Sequence, residues 1–239
     1  FIIEASREGD EFVLISPDIC ICPDCLKELR DRQDRRWAYP FINCTNCGPR
    51  FTIISDIPYD RPKTTMGVFT MCDHCDEEYH NPADRRFHAQ PNACHLCGPH
   101  LELLRNGARP AERWPRGEPI EGARRLLAEG AIVAVKGLGG FHLACDATNA
   151  AAVATLRERK QRVDKPFAVM SLDVNTVRRY CQVSEGEAQL LESPARPIVL
   201  LRRKPGSPIA AEVAPANNYL GVMLPYTPLH YLLLGDGPT

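Results

Sequence analysis

The second half of the chain carries its apolar residues in two alternating periods. Residues 119–130 (PIEGARRLLAEG) repeat them at helical spacing, with proline in the first turn and glycine at the stop. Residues 131–136 (AIVAVK) form a short apolar run of the kind a buried strand shows. The pattern predicts a helix over 146–162, capped by Asp146 or Thr148, and a strand over 167–172. Ser184-x-x-Glu187 reads as a capping box that opens a helix through Leu191. Residues 198–202 and 220–224 are predicted strands, and Thr227-Pro228 starts a last helix. Strands alternating with helices predict an α/β sheet domain, whose chemistry belongs in the loops beyond the strand ends.

The first hundred residues show no such period; their regularity lies in cysteine. Nine of the eleven cysteines fall between Cys20 and Cys97. Cys22-x2-Cys25 is followed by Cys44-x2-Cys47, and Cys72-x2-Cys75 by Cys94-x2-Cys97, so every pair recurs at an offset of fifty. The same offset superposes Asp34-Arg35-Arg36-Trp37 on Asp84-Arg85-Arg86-Phe87, and Cys47-Gly48-Pro49 on Cys97-Gly98-Pro99, which marks an internal duplication. Two cysteines separated by two residues make a tight knuckle, and two knuckles offer four thiolates to a tetrahedral ion. Zinc is the expected ion, two per chain, in a structural rather than redox role. A duplicated complete unit favours one ion for Cys22, Cys25, Cys44 and Cys47 and another for Cys72, Cys75, Cys94 and Cys97, although pairing the first knuckle with the third is the alternative. Gly48 and Gly98 are expected to supply the positive φ that such turns favour. Cys20, His74, His88 and His95 read as ordinary neighbours of the knuckles.

Residues 106–118 (NGARPAERWPRGE) have two prolines, two glycines and no periodicity, and read as a connection between domains. A chain of 239 residues with 44% hydrophobic and 25% charged residues is in the ordinary globular range. No run approaches the roughly 18 apolar residues of a membrane span. The opening FIIEASREGDEF lacks the layout of a signal peptide, so a cytoplasmic location with reduced thiols is expected. The formal net charge is −1, and residues 1–117 hold 15 Lys+Arg against 18 Asp+Glu before two four-thiolate centres add about −2 each. That balance argues against nonspecific nucleic-acid binding. It leaves Arg35, Arg36, Arg85 and Arg86 to bond locally to acidic groups and carbonyls.

Two basic segments stand out in the second half. The first predicted strand runs into Lys136-Gly137-Leu138-Gly139-Gly140-Phe141-His142, where glycines admit a close ligand and Lys136 offers a cation. Lys160-Gln161-Arg162-x-x-Lys165 closes the following helix. On the residues alone, the first is either a glycine turn or an anion site. The second either complements a helix dipole or clamps a triphosphate.

Taken together, the doubled C-x2-C-x18-C-x2-C, KGLGGFHLACDA (136–147), LRERKQRVDKPFAVM (156–170) and LGVMLPYTPLHYLLL (220–234) resemble the HypF carbamoyltransferases of nickel-iron hydrogenase maturation. The resemblance implies a tandem four-cysteine zinc-finger module followed by a YrdC-like twisted α/β sheet domain. It divides the chain into the tail of an acylphosphatase-like domain (1–15), the zinc module (16–104), a linker (105–117) and the N-terminal part of an adenylating domain (118–239), incomplete at the C-terminus. In that family carbamoyl phosphate supplies carbamate, which ATP with magnesium converts to carbamoyl adenylate. The carbamoyl group then passes to the C-terminal cysteine of HypE for cyanide ligand synthesis. The implied roles are Lys160 and Arg162 on the ATP phosphates, Lys136 and Lys165 on acyl-phosphate oxygens, and the backbone of Gly137, Gly139 and Gly140 beside the carbamoyl group. Cys145 is expected to be structural. Two alternatives stand beside this reading: a threonylcarbamoyl-adenylate synthase of tRNA modification, and a non-enzymatic zinc-scaffolded RNA-binding module.

Overall fold

A computed structural model describes residues 15–48, 51–104 and 118–236. The readings of 1–14 as a domain tail and of 105–117 as a linker lie outside these residues. The chain divides into two compact units, one ending at His100 and the other beginning at Leu101.

In the first unit the duplication is visible in the backbone. Each half opens with an eight-residue helix, α1 (Pro23–Arg30) and α2 (Asp73–His80), whose preceding residue is the first cysteine of a knuckle. Pro23 at the start of α1 suits the first turn, where its missing N–H costs nothing. The helices bury Cys25 with Leu29 and Cys75, and little else. Each half then turns through a left-handed residue, Ala38 (φ 54°) and His88 (φ 52°), whose N–H groups reach back to Leu29 O and Tyr79 O. The connecting segment is less open than its polar composition suggested. Arg61 is buried and donates to the carbonyls of Gln90 (2.6 Å), Asn92 (2.8 Å) and Phe69 (2.8 Å).

In the second unit, α3 (Glu118–Ala128) leads to β1 (Val133–Lys136), which pairs antiparallel with β2 (Phe141–Ala144). Next come α4 (Ala150–Arg159), β3 (Ala168–Met170), α5 (Val174–Arg178), α6 (Glu185–Glu192), β4 (Val199–Arg202), β5 (Tyr219–Met223) and α7 (Pro228–Tyr231). β5 is the centre of a three-stranded sheet, parallel to β3 and antiparallel to β4, in register Ala168↔Gly221 and Leu200↔Gly221. One face of this sheet, through Val169, Leu201, Leu220 and Val222, packs on Val153, Val177 and Leu191 to make the core. The capping box of Ser184 and Glu187 is present at α6, and Thr227 caps α7.

Two expectations are corrected. The helix expected over 146–162 begins later, at Ala150, and is capped by Asn149, whose Oδ1 accepts from Ala152 N at 3.0 Å. Asp146 instead accepts from the N–H and hydroxyl of Thr148, both at 2.8 Å, closing a turn ahead of the helix. The glycine segment after β1 is a turn, as one reading of its residues had it, and it is a tight hairpin because β2 returns directly alongside β1. Gly98, unlike Gly48 (φ 91°), is not left-handed. A side chain there would meet Tyr39 Oη at 2.0 Å and Ala93 Cβ at 2.6 Å, so glycine is required by proximity rather than by φ.

Candidate functional site

The sulfurs of Cys22, Cys25, Cys44 and Cys47 all lie within 4.8 Å of one another, as do those of Cys72, Cys75, Cys94 and Cys97. The knuckles therefore pair in sequence order rather than crosswise. A tetrahedral zinc ion with bonds of about 2.3 Å sets its sulfurs about 3.8 Å apart. Cys22 and Cys44 are separated by 3.7 Å, Cys44 and Cys47 by 3.9 Å, Cys72 and Cys94 by 3.8 Å, and Cys94 and Cys97 by 3.8 Å. The two clusters fit two zinc ions. Backbone N–H groups of Cys25 (3.5 Å), Asn46 (3.4 Å) and Leu96 (3.4 Å) point at Cys22, Cys44 and Cys94, as expected around thiolates. Cys20, His74, His88 and His95 stand outside both clusters; His95 Nε2 bonds Trp37 O at 2.9 Å.

The arginine pairs do bond acidic groups and carbonyls, but not locally. Arg36 Nη1 donates to Glu78 Oε1 at 2.9 Å and its Nε to Ala93 O at 2.9 Å, while Arg35 pairs with Glu78 at 2.6 Å. In the mirror-related contacts Arg85 and Arg86 pair with Glu28, and Arg86 Nε donates to Asn43 O at 3.2 Å. Burial alone would lift the Glu78 carboxyl, but Arg36 and Arg35 hold it down at about 2. Glu28 is lowered likewise, against burial, by Arg86 and Arg85.

In the second unit Lys136 ends β1, exposed, with its ammonium 4.9 Å from the Phe141 ring. Between them Gly137 N donates to Gly140 O at 2.7 Å, Gly139 takes φ 71°, and the space beside Gly140 is open. The imidazole of His142 lies over Gly137, where a side chain would meet it at 2.4 Å. Tyr226 Oη is 3.3 Å from His142 Nε2, and the Tyr226 ring stands edge-on to His230 at 4.4 Å. Burial, and behind it His142, push the His230 imidazole down to about 4.

Lys160 is the C-cap of α4, and Lys165 is exposed on the loop that follows. Arg162 stacks on Phe167 with its guanidinium 5.2 Å from the ring. The residue that shapes this loop was not singled out from the sequence. Arg157 donates from Nη1 to the carbonyls of Arg162 (2.9 Å), Val163 (3.1 Å) and Lys165 (3.3 Å), and from Nε and Nη2 to Glu212 O at 2.9 and 2.7 Å. Among the described residues no hydrogen bond or ion pair engages the ammonium groups of Lys160 and Lys165. Among the described residues no hydrogen bond or ion pair joins Lys136 to this loop. Burial raises the Cys145 thiol, which is the opposite of what a nucleophile needs.

These features define a class: a duplicated four-cysteine zinc-finger unit followed by a YrdC-like α/β unit. Residues 21–54 and 71–104 match the family described as "HypF finger", and residues 125–238 match the Sua5/YciO/YrdC family, described as "Telomere recombination". The chain is 52% identical over 234 residues to the carbamoyltransferase HypF of Rhodobacter capsulatus, covering 98% of this chain and 30% of that protein. Against the probable carbamoyltransferase HypF of Methanocaldococcus jannaschii it is 45% identical over 235 residues, again 98% and 30%. The crystal structure of a full-length HypF in a phosphate- and nucleotide-bound form superposes with a TM-score of 0.89 at 56% identity, over 97% of this chain and 30% of that one. The chain is similar to the HypF proteins across both units, and spans about 30% of the length of the curated relatives it matches.

Proposed function

We propose that this chain is the zinc-scaffolded and adenylating region of a carbamoyltransferase that serves nickel-iron hydrogenase maturation. The observation that carries the reading is the shared identity of 52% across both units, fingers and α/β unit in one order. The eight clustered cysteines hold two structural zinc ions, whose bonds add folding energy to the small core of Leu29, Tyr39 and Ile42. In the second unit Lys160 and Arg162 bind the phosphates of ATP, and Lys136 and Lys165 face acyl-phosphate oxygens. Gly137, Gly139 and Gly140 let the backbone approach the carbamoyl group; the open side of Gly140 supports this. A carbamate oxygen attacks the α-phosphorus, the bond to the β-phosphate breaks, and pyrophosphate leaves as carbamoyl adenylate forms. The cations neutralise charge that develops on the departing pyrophosphate. Magnesium accompanying ATP supplies further neutralisation there. Carbamate derives from carbamoyl phosphate, and the C-terminal cysteine of HypE accepts the carbamoyl group, in a cytoplasm that keeps thiols reduced.

The finger match weighs against both a threonylcarbamoyl-adenylate synthase and a bare RNA scaffold. No described helix is long and apolar enough to cross a membrane. The test is carbamate-dependent exchange of pyrophosphate into ATP by the full-length protein. Lys160→Ala and Arg162→Ala are expected to abolish exchange while sparing carbamoyl phosphate hydrolysis. Retained exchange would return this loop to the role of complementing the end of α4.

A further inference from the structure

The two metal centres do not each keep their own hydrogen-bond donors. Arg35 Nη2 lies 3.3 Å and Arg36 Nη2 3.5 Å from Cys75 Sγ, which belongs to the second cluster. Arg85 Nη1 lies 3.0 Å from Cys25 Sγ, which belongs to the first. Cys25 and Cys75 are fully buried, so these guanidinium groups replace the water that would otherwise solvate the sulfurs. The arginines are held in place: Glu78 and Glu28 pair with the same guanidinium groups, and Asp34 and Asp84 accept from the backbone at Arg36 N (2.6 Å) and Arg86 N (2.7 Å). Each Asp-Arg-Arg turn sits between the two knuckles of its own half. Its position therefore depends on that half being folded around its own ion, while its donors serve the other ion. The backbone repeats the crossing: Thr45, between Cys44 and Cys47, donates from N and Oγ1 to Arg85 O at 3.2 and 3.0 Å.

We propose that Arg35, Arg36, Arg85 and Arg86 couple the two centres, so that metal bound in either one raises the affinity of the other. The coupling is reciprocal, as linkage requires. It rests on the reading of the clusters as metal sites but goes beyond it, since two independent fingers in tandem would need no such exchange of donors.

The test is a titration of the metal-free full chain with cadmium-113, whose resonance reports each tetrathiolate centre separately. With one equivalent added, uncoupled equal centres leave about half of the chains singly loaded. Coupling of about fivefold lowers that fraction to about a third, and of about 100-fold to about a tenth. The expected spectrum at one equivalent holds mainly the two resonances of the fully loaded chain, growing together. Resonances of singly loaded chains at the uncoupled level, or one centre filling before the other, would overturn the coupling. The variant Arg35→Gln/Arg85→Gln removes one donor from each centre and keeps the Arg36–Glu78 and Arg86–Glu28 pairs. It is expected to raise the singly loaded fraction towards half while still giving two resonances at two equivalents; an unchanged fraction would overturn the role of the arginines. If the variant does not fold, the titration of the native chain decides by itself. A native chain that binds fewer than two ions would overturn the metal reading, a result distinguishable from two ions that load independently.

Discussion

Replacing Gly98 with alanine places one methyl group where the two halves of the finger unit touch. Because Gly98 has no left-handed φ, the substitution carries no backbone penalty, and its whole effect is steric. The new carbon would lie 2.0 Å from Tyr39 Oη, 2.6 Å from Ala93 Cβ and 3.1 Å from Cys94 O. The first two distances are about 1 Å or more inside the ~3.5 Å at which nonbonded atoms settle. Tyr39 is fully buried and Gly98 N is tied to Cys94 O at 2.9 Å, so neither side can withdraw freely. A destabilisation of about 2–3 kcal/mol is expected, at the upper end for overpacked cores. Tyr39→Phe by itself should cost little or even stabilise by up to ~1 kcal/mol, since the buried hydroxyl has no hydrogen-bond partner. Combined with Gly98→Ala it removes the closest clash and leaves that with Ala93. The double variant should therefore recover at least ~1 kcal/mol relative to additivity. The assay is urea denaturation of all four proteins at fixed free zinc, followed by near-ultraviolet circular dichroism. Additive effects, or a Gly98→Ala variant as stable as the parent, would refute the packing argument.

Other outcomes follow from the second unit. Arg157→Lys should cost about 2 kcal/mol, because one ammonium cannot replace a fork that serves the carbonyls of Arg162 and Glu212 together. Hydrogen exchange should show faster opening of residues 160–165 in that variant; unchanged protection there would contradict the assigned role. The low value of His230, about 4 against an unfolded 6.5, makes a signed prediction. Stability from the neutral imidazole is complete above pH 6.5 and declines as pH falls towards 4, because the unfolded chain takes up a proton that the folded chain refuses. The loss is at most about 3 kcal/mol, and His230→Phe should remove this part of the pH dependence. Parallel stability curves for parent and variant between pH 7 and pH 4.5 would contradict it. Methylation of the exposed lysines with protection by ATP should shield Lys160 and Lys165 in the full-length protein, whereas equal labelling with and without ATP would remove them from the nucleotide site.

The cysteines were legible because a zinc ion asks for a local spacing, and local spacing is what a sequence displays. The strands through Val169, Leu201 and Val222 were legible for a related reason: they are buried on one face and rich in branched residues. β2 was missed because Phe141, His142 and Leu143 are all exposed, so no alternation marks it. α1 and α2 were missed because each is only eight residues long and buries little beyond one cysteine, although Pro23 and the i, i+4 pair of Cys25 and Leu29 were a usable signal. The partners of the arginines lie about forty to sixty residues away, from Arg35 to Glu78 and from Arg85 to Cys25. No local pattern encodes contacts at that range. Only the offset of fifty hinted that whatever Arg36 did, Arg86 would do as well. Arg157 escaped because its targets are carbonyls, which every residue has.

The exchange of contacts between the halves of the finger unit is symmetric. Arg36 meets Glu78 as Arg86 meets Glu28, and Ala93 O receives what Asn43 O receives. Such a surface is isologous, the kind a single unit presents to a second copy of itself about a two-fold axis. One unit of some fifty residues presents a surface complementary to a second copy of itself, and joining the two in one chain holds that pair at high effective concentration. Within one chain the two halves need not be identical, and they are not: Tyr39 in one stands where the other has Ala89.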